Sequence, residues 1–119
     1  MVQLSHKGFD ATFAALADPT RRGVLEALAG ADASISDLAG RFDMTLTGIR
    51  KHVGILEEAG LVTTQKVGRI RTCRLGARAL AEEAAWIEEY RRLWAARFDG
   101  LDDVIADLQE KEAADGPHD

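Results

Sequence analysis

The sequence has few of the residues that stabilise or anchor a protein by special chemistry. It contains a single cysteine, which excludes an internal disulfide framework. It has no apolar run near the roughly 18 residues that a membrane-spanning helix requires. Residues 1–7 lack the apolar stretch of a secretory signal. We therefore expect a cytoplasmic protein without a membrane partner.

Signatures of an enzyme are also missing. There is no Ser/His/Asp grouping, no phosphate-binding glycine loop and no pair of carboxylates in a plausible cleft, so the sequence predicts no enzyme. Aromatic residues make up only 6% of the chain, whereas apolar residues of all kinds make up 46% of its 119 residues. That composition supports one core. We expect one domain over residues 1–112 and a flexible tail over residues 113–119.

The net charge of −5 at first argues against a nucleic-acid partner, but the charge is unevenly distributed. Residues 41–74 carry seven basic and three acidic residues, a balance of +4. Residues 75–119 carry five basic and twelve acidic residues, a balance of −7. Positive charge is therefore concentrated in one stretch, where it can face a phosphate backbone.

Apolar spacing and capping residues predict two helices in the first third of the chain. Residues 9–17 are apolar at helical spacing and predict the first helix. Asp18 is a good N-cap and Pro19 suits the first position of a second helix, which ends near Gly30. The expected buried stripe of this second helix consists of Val24, Leu25 and Leu28.

The same signals predict a helix-turn-helix further along. We expect Ile35 to form a short extended contact before Ser36 caps a third helix that ends at residue 41 or 42. Thr45 caps a fourth helix, which ends at Gly60, a candidate left-handed C-cap. Residues 61–66 and 70–75 are rich in β-branched side chains and predict two strands joined at residues 67–69, where Gly68 supplies a positive φ.

A long helical pattern follows from residue 78 to about residue 112. Its apolar residues are mostly three or four apart and form one continuous stripe. Gly100 interrupts the pattern, and we expect one continuous helix in preference to two. The stripe comprises Leu80, Trp86, Ile87, Tyr90, Leu93, Trp94, Phe98, Leu101, Val104, Ile105 and Leu108.

The fourth helix has two contrasting faces. Its expected buried face consists of Leu46, Ile49, Val53 and Leu56. The opposite face consists of Thr47, Arg50, Lys51 and Gly54. This face is basic and hydroxylic in its first two turns. Each glycine costs the helix about 0.5–1 kcal/mol against alanine, so Gly48 and Gly54 indicate a close approach to another helix or to DNA.

The order helix, turn, helix and basic hairpin over residues 34–74 is that of a helix-turn-helix with a β wing, whose simplest use is to insert a helix into a DNA groove. We expect Arg50 to read guanine through its fork, and Thr47 to contact a base edge or a thymine methyl. Thr45 and Lys51 would hold phosphates, while Arg69 and Arg71 at the wing tip would reach backbone or minor groove. The alternative is that these are ordinary solvated side chains. The candidate DNA-binding residues are Thr45, Thr47, Gly48, Arg50, Lys51, His52, Arg69 and Arg71.

These residues resemble the ArsR family of winged-helix bacterial repressors over about residues 10–76. The matching stretches are Ala-Asp-Pro-Thr-Arg-Arg at 17–22, Ile-Ser-Asp-Leu-Ala at 35–39, Arg-Lys-His-Val at 50–53, Leu-Glu-Glu-Ala-Gly-Leu-Val at 56–62 and the Gly-Arg wing at 68–69. The resemblance implies a mainly α fold with a small β-hairpin wing. It also implies a homodimer through the N- and C-terminal helices, and a palindromic operator that often overlaps the repressor's own promoter.

The aromatic stripe of the long helix independently predicts a dimer. It is too large for a core of about 75 residues to cover alone, so a partner surface is expected. The alternative is that the helix folds back entirely onto its own domain. Two copies of the helix-turn-helix related by a two-fold axis would each contact one half-site. This predicts half-sites about 10–10.5 bp apart, or a multiple of that spacing. The candidate interface residues are Phe9, Phe13, Trp86, Tyr90, Leu93, Trp94, Leu101 and Ile105.

The sequence departs from the metal-sensing members of that family. Many of them bind metal through a Cys-x-Cys pair on the third helix or through Asp and His on the last helix, and neither pattern is present. We therefore expect no metal and no cofactor. His52 is interpreted as a packing residue or a DNA contact. The sequence identifies no small-molecule or redox effector.

Two further features have alternative readings. Cys73 is either a small strand residue or a redox-sensitive thiol whose pKa Arg71 and Arg74 would lower. Arg21 and Arg22 open the second helix, where the dipole disfavours them; they would contact phosphate or pair with an acid such as Asp18 or Glu26.

The acidic last helix and the negative total charge favour a second function. The chain would then be a protein-interaction module that uses the winged-helix dimer without sequence-specific DNA binding.

Overall fold

The computed structural model describes residues 7–78 and 80–114, and within them the side chains of residues 8–78, 80–99 and 107–112. The chain divides into two compact units, residues 1–80 and residues 81–119. The first unit contains four helices: α1 (Lys7–Leu16), α2 (Pro19–Gly30), α3 (Ile35–Arg41) and α4 (Leu46–Glu58). It also contains three strands: β1 (Ala33–Ser34), β2 (Val62–Val67) and β3 (Ile70–Leu75). In the second unit, α5 spans Ala81–Ala114.

Side-chain caps start α2 and α4 where the sequence predicts. A carboxylate oxygen of Asp18 accepts from the Arg21 N–H at 3.0 Å, and Pro19 occupies the first turn. This hydrogen bond is the main reason why the pKa of Asp18 lies below its usual value. The Thr45 hydroxyl accepts from the Gly48 N–H at 3.0 Å. Both caps satisfy backbone donors that the first helical turn leaves without intrahelical partners.

The third helix begins two residues earlier than expected. Ser34, not Ser36, is its N-cap, and Ser34 and Asp37 form a reciprocal capping box. Ile35 is the first helical residue and not an extended contact. The physical reason is that Ser34 also ends β1, which pairs with β3 through Ala33 and Cys73. This pairing brings together residues far apart in sequence, so local signals do not reveal it.

The strands form an antiparallel sheet in the order β1-β3-β2. The β2–β3 hairpin pairs Val62 with Leu75 at its base and Val67 with Ile70 at its tip. Gly68 in the turn has a φ of 64°, as predicted. The mainly α fold with a small β wing is therefore confirmed, with β1 as an additional short strand.

The junction between α4 and the wing is tightly closed by two glycines. Gly60 has a φ of 78°, and the N–H groups of Gly60 and Leu61 bond the carbonyls of Glu57 and Leu56, each at 2.9 Å. These bonds form a Schellman motif, which confirms Gly60 as the left-handed C-cap. Gly76 donates its N–H to the Leu61 carbonyl at 2.9 Å. A Cβ at position 76 would lie 2.5 Å from the Gly60 carbonyl oxygen, so only glycine fits there.

The core lies between the helices and the sheet of the first unit. Val24 and Leu28 of α2 are buried, whereas Leu25 of the predicted stripe is only partly buried. On α4, Ile49, Val53 and Leu56 are buried as predicted. The prediction for Leu46 is wrong, because its side chain is 43% exposed. Leu46 is the first residue of α4, one turn before the core begins.

The last helix, α5, is continuous over 34 residues and passes through Gly100 without a break, as expected. Several of its large apolar side chains are about half exposed, among them Trp86, Tyr90, Leu93 and Trp94. Among the described residues, no helix is long and apolar enough to cross a membrane.

We predict that Gly76→Ala lowers the free energy of unfolding by about 1–3 kcal/mol, because the added methyl group meets backbone and not a flexible side chain. Urea denaturation followed by circular dichroism measures this. Gly40→Ala is the control, since a Cβ there has nothing within 4 Å, and it should leave stability unchanged or raised. Equal effects at the two positions would contradict the proposed clash.

Candidate nucleic-acid interface

The exposed face of α4 presents the predicted polar residues to solvent. Thr45, Thr47, Arg50 and Lys51 are all exposed. The Thr45 hydroxyl accepts from the Gly48 N–H, and its own proton stays available for a further acceptor. This arrangement follows from the burial of the opposite face, because residues three and four apart share one side of a helix.

The two glycines of α4 lie in different surroundings. A Cβ at Gly48 would meet the end of the Met44 side chain at 3.0 Å and the Thr45 hydroxyl at 3.2 Å. A Cβ at Gly54 would meet nothing within 4 Å. Among the described residues, nothing lies within 4 Å of that position, and the space beside it is open.

A groove of about 930 Å³ runs between α4, the start of α3 and the wing. Four cationic side chains line it: Arg50, Lys66, Arg69 and Arg71. Asp32 and Asp37 line its other side. Asp37 belongs to the capping box of α3, and Asp32 forms a salt bridge with Arg74 at 3.1 Å. The groove is therefore cationic along the wing and partly neutralised on the side of α3.

Lys66 was not among the residues predicted from the sequence. The hairpin register places it directly opposite Arg71, so both side chains lie on the same face of the wing. The turn predicted at residues 67–69 would pair Lys66 with Ile70, whereas the observed turn consists of Gly68 and Arg69 and pairs Lys66 with Arg71. The predicted register therefore did not bring these two cations together.

Arg71 lies in β3 and not at the wing tip, where Gly68 and Arg69 form the turn. Its Nη1 donates to the Thr64 hydroxyl at 3.0 Å, and that hydroxyl donates to Oε2 of Glu57 at 2.9 Å. Arg71 is therefore held within the chain while it lines the groove.

His52 is tied to the neighbouring helices. Its Nδ1 lies 3.0 Å from Nη1 of Arg21 and 3.9 Å from Oδ2 of Asp18. Because arginine only donates, Nδ1 accepts this hydrogen bond. The geometry gives His52 the packing role that the sequence left open, and a DNA contact through its other nitrogen stays a prediction.

Arg21 and Arg22 have a role that sequence analysis missed. Arg21 donates to the Ala15 carbonyl at 2.9 Å and the Ala14 carbonyl at 3.1 Å, and Arg22 donates to the Leu16 carbonyl at 2.7 Å. Both guanidinium groups therefore cap the C-terminal end of α1. There a positive charge complements the helix dipole. The sequence left open a phosphate contact or an acid partner such as Asp18, and it did not predict these bonds to α1. The charge of Arg21 also acts on Asp18, whose pKa it lowers.

Cys73 is fully buried in β3. Burial raises the pKa of its thiol, the negative charge of Glu57 raises it further, and Arg71 lowers it only in part. Arg71 thus lowers this pKa as expected, but burial and Glu57 outweigh its effect, and Arg74 is engaged with Asp32 instead. The structure favours the small strand residue over the reactive thiol. Within the described part of the chain, no three His, Cys, Asp or Glu side chains form a group able to hold a metal ion.

Comparison with known proteins agrees with this geometry. A family model described as a helix-turn-helix domain matches residues 16–65. The transcriptional repressor SdpR of Bacillus subtilis strain 168 is 31% identical over 75 residues, which are 63% of this chain and 83% of SdpR. The crystal structure of the ArsR family transcriptional regulator RHA00566 is 42% identical, with a TM-score of 0.69, over 74% of this chain and 97% of that one. The chain belongs to the ArsR family.

A second solved structure extends the similarity along the chain of this ArsR-family protein. The ArsR-like transcriptional regulator from Rhodococcus sp. RHA1 is 32% identical, with a TM-score of 0.74, over 90% of this chain and 98% of that one. The protein is thus a DNA-binding transcriptional regulator with a winged helix-turn-helix fold, and it is not an enzyme.

We predict that Cys73 of the folded regulator reacts with dithiobisnitrobenzoate far more slowly than it does in urea. Burial blocks access to the sulfur and disfavours the thiolate, so reaction must await local opening. Absorbance of the released thionitrobenzoate at pH 8 measures both rates. The signal is unambiguous because the chain has one cysteine. Equal rates in buffer and urea would contradict the buried assignment.

Proposed function

We propose that this ArsR-family regulator is a homodimeric repressor that binds a palindromic operator, one that overlaps the promoter of its own gene. The observation that carries the proposal is the joint exposure of Thr47 and Arg50 on α4 beside a groove lined by cations of the wing. A helix with an exposed basic face suits the major groove, and a neighbouring cationic hairpin suits the phosphate backbone. The regulator would act in the cytoplasm, and its inducing signal is left open.

Each exposed residue of α4 has a proposed role. Arg50 reads guanine O6 and N7 through its two parallel donors, and Thr47 contacts a base edge or a thymine methyl. Thr45 and Lys51 hold phosphates near the helix N-terminus, where the dipole favours negative charge. The open space beside Gly54 lets the helix approach the duplex closely. This role for Gly54 replaces the helix contact that the sequence had left open.

The wing completes the proposed contact. Arg69 in the turn and Arg71 in β3 approach the backbone or the adjacent minor groove. Lys66 joins them because it lines the same groove. Residues 1–80 would thus contact each half-site through two elements, α4 and the wing. Of the tail expected at residues 113–119, residues 113 and 114 belong to α5, and the rest lies outside the described residues.

Dimerisation through α5 is supported by its exposed apolar residues. Tyr90, Leu93 and Trp94 lie within one turn of the helix and are each more than half exposed. A groove of about 280 Å³ runs beside Tyr90 and Trp94. A helix of 34 residues with such a stripe is stabilised by packing against another surface, and a second copy offers the same stripe around a two-fold axis.

The other candidate interface residues differ in how much of their side chain is exposed to a partner. Phe9 is only 9% exposed, so it offers little surface to a partner. Phe13, with 38% exposure, stays a candidate, as does Trp86, which stacks on Tyr90. The side chains of Leu101 and Ile105 lie outside the described residues, and their proposed contact rests on the helical spacing alone.

We predict that Arg50→Ala weakens operator binding by about 1–3 kcal/mol and relaxes specificity at one base position. Arg50→Lys is the matched control, because it keeps the charge but loses the fork. It should retain most of the affinity and lose the discrimination. Footprinting of DNA upstream of the gene defines the operator, and fluorescence anisotropy with single-base variants measures the loss. Unchanged discrimination in Arg50→Ala would remove Arg50 from base reading, and the absence of any footprint would favour the protein-interaction module.

We predict that Trp94→Glu shifts the dimer towards monomer by at least about tenfold in dissociation constant, since it places a charge in an apolar interface. Ala85→Glu adds the same charge at an exposed position nine residues earlier, about half a turn around the helix axis from Trp94, and should leave the dimer intact. Sedimentation equilibrium measures both constants. A wild-type chain that is monomeric at all concentrations would contradict the proposed dimer.

A further inference from the structure

Two hydrogen bonds connect the end of α4 to both strands of the wing. The hydroxyl of Thr64, on β2, lies 2.9 Å from Oε2 of Glu57 in the last turn of α4. The same hydroxyl lies 3.0 Å from Nη1 of Arg71, on β3. Three elements that are separate along the sequence therefore meet at one oxygen atom.

These two bonds have only one possible direction. Arginine has donors and no acceptor, an ionised carboxylate has acceptors and no donor, and a hydroxyl has a single proton. The Thr64 hydroxyl therefore gives its proton to Glu57 and accepts from Arg71. Each bond has a charged group at one end, which makes it stronger than a hydrogen bond between neutral groups.

Arg71 differs from the other cations of the groove because its guanidinium group has a hydrogen-bond partner within the chain. In the part of the chain that the structure describes, Arg50, Lys66 and Arg69 have no hydrogen-bond or salt-bridge partner. Arg71 is held by Thr64 with its remaining donors unused. A guanidinium that is already oriented loses less rotamer freedom when a phosphate arrives.

Glu57 is an unexpected residue at this place, because an acid beside a DNA-binding groove repels phosphate. Its neighbour Glu58 is equally exposed but has no hydrogen bond or ion pair among the described residues. The two acids carry the same charge in the same turn of α4, about 100° apart around the helix axis, and only Glu57 is connected to the wing.

We propose that Glu57 is a positioning residue for DNA binding, which acts through the Thr64 hydroxyl to hold Arg71 of the wing against the phosphate backbone. The inference rests on the proposed function in one respect, namely that the groove between α4 and the wing receives the duplex. It adds a specific expectation, because it assigns a favourable effect on binding to an acidic side chain.

Glu57→Ala and Glu58→Ala form a matched pair that separates positioning from electrostatics. Both substitutions remove one negative charge from the same helical turn. Electrostatics alone predicts tighter binding for both. Positioning predicts that Glu57→Ala weakens binding about two- to fivefold, the range for exposed charged pairs, while Glu58→Ala leaves it equal or tighter.

The test uses the full chain and a fluorescein-labelled duplex of mixed sequence, about 30 base pairs long, which accommodates two half-sites one turn apart. Anisotropy titrations across a range of salt concentrations give affinity and salt dependence together. Loss of the Arg71 contact should reduce the slope of log K against log salt by up to about 0.9 for each copy of Glu57→Ala on the duplex. Thr64→Val should reproduce Glu57→Ala, and Thr64→Ser should restore wild-type binding.

A background variant distinguishes positioning from general damage to the fold. In Arg71→Ala there is nothing left to position, so adding Glu57→Ala should no longer weaken binding and should tighten it as Glu58→Ala does. An equal loss in both backgrounds would overturn the inference, as would a Glu57→Ala variant that binds as tightly as Glu58→Ala. A wild-type chain that binds no duplex at low salt would instead overturn the proposed function.

Discussion

Burial of one face of α4 is the constraint on which the rest of the reading surface depends. Ile49, Val53 and Leu56 are at most 2% exposed, and each contributes about 1.5–3 kcal/mol relative to an exposed side chain. Because the helix repeats every 3.6 residues, their burial fixes the direction of the opposite face. Thr47 and Arg50 therefore point outward without any contribution to the core. The identity of the outward residues can therefore change without loss of core packing.

A polar contact between Arg21 and His52 also holds α4 in place. Arg21 joins the last carbonyls of α1 to the imidazole of His52, so one guanidinium group satisfies helix-end acceptors and contacts the reading helix. Apolar packing of its buried face sets the distance of α4 from the core. This directional contact restrains its rotation, because hydrogen bonds weaken steeply as their angle changes.

The features that could be predicted from the sequence are those that local chemistry determines. Asp18, Thr45, Gly60 and Gly68 each satisfy or permit a backbone conformation within a few residues of themselves, and all four were placed correctly. The errors arise where distant residues meet. Pairing of β1 with β3 moved the start of α3, and the guanidinium groups of Arg21 and Arg22 reach back to α1. The side chains that line the groove show the same contrast. The exposure of Arg50 was predicted from helical spacing alone, whereas the place of Lys66 follows only from the pairing of β2 with β3.

The closed junction at Gly60 has a consequence for how operators and regulators of this kind diverge. The hairpin begins directly after the helix cap, and Gly76 fastens its far end to Leu61. A slip of one residue in the hairpin register would move each side chain of β2 to the other face, so Lys66 would turn away from the groove. The spacing between the exposed face of α4 and the wing is thus set by hydrogen bonds of the main chain. If these two elements contact DNA as proposed, a change of target sequence would come from exchanging side chains on this frame and not from lengthening the connection between its parts.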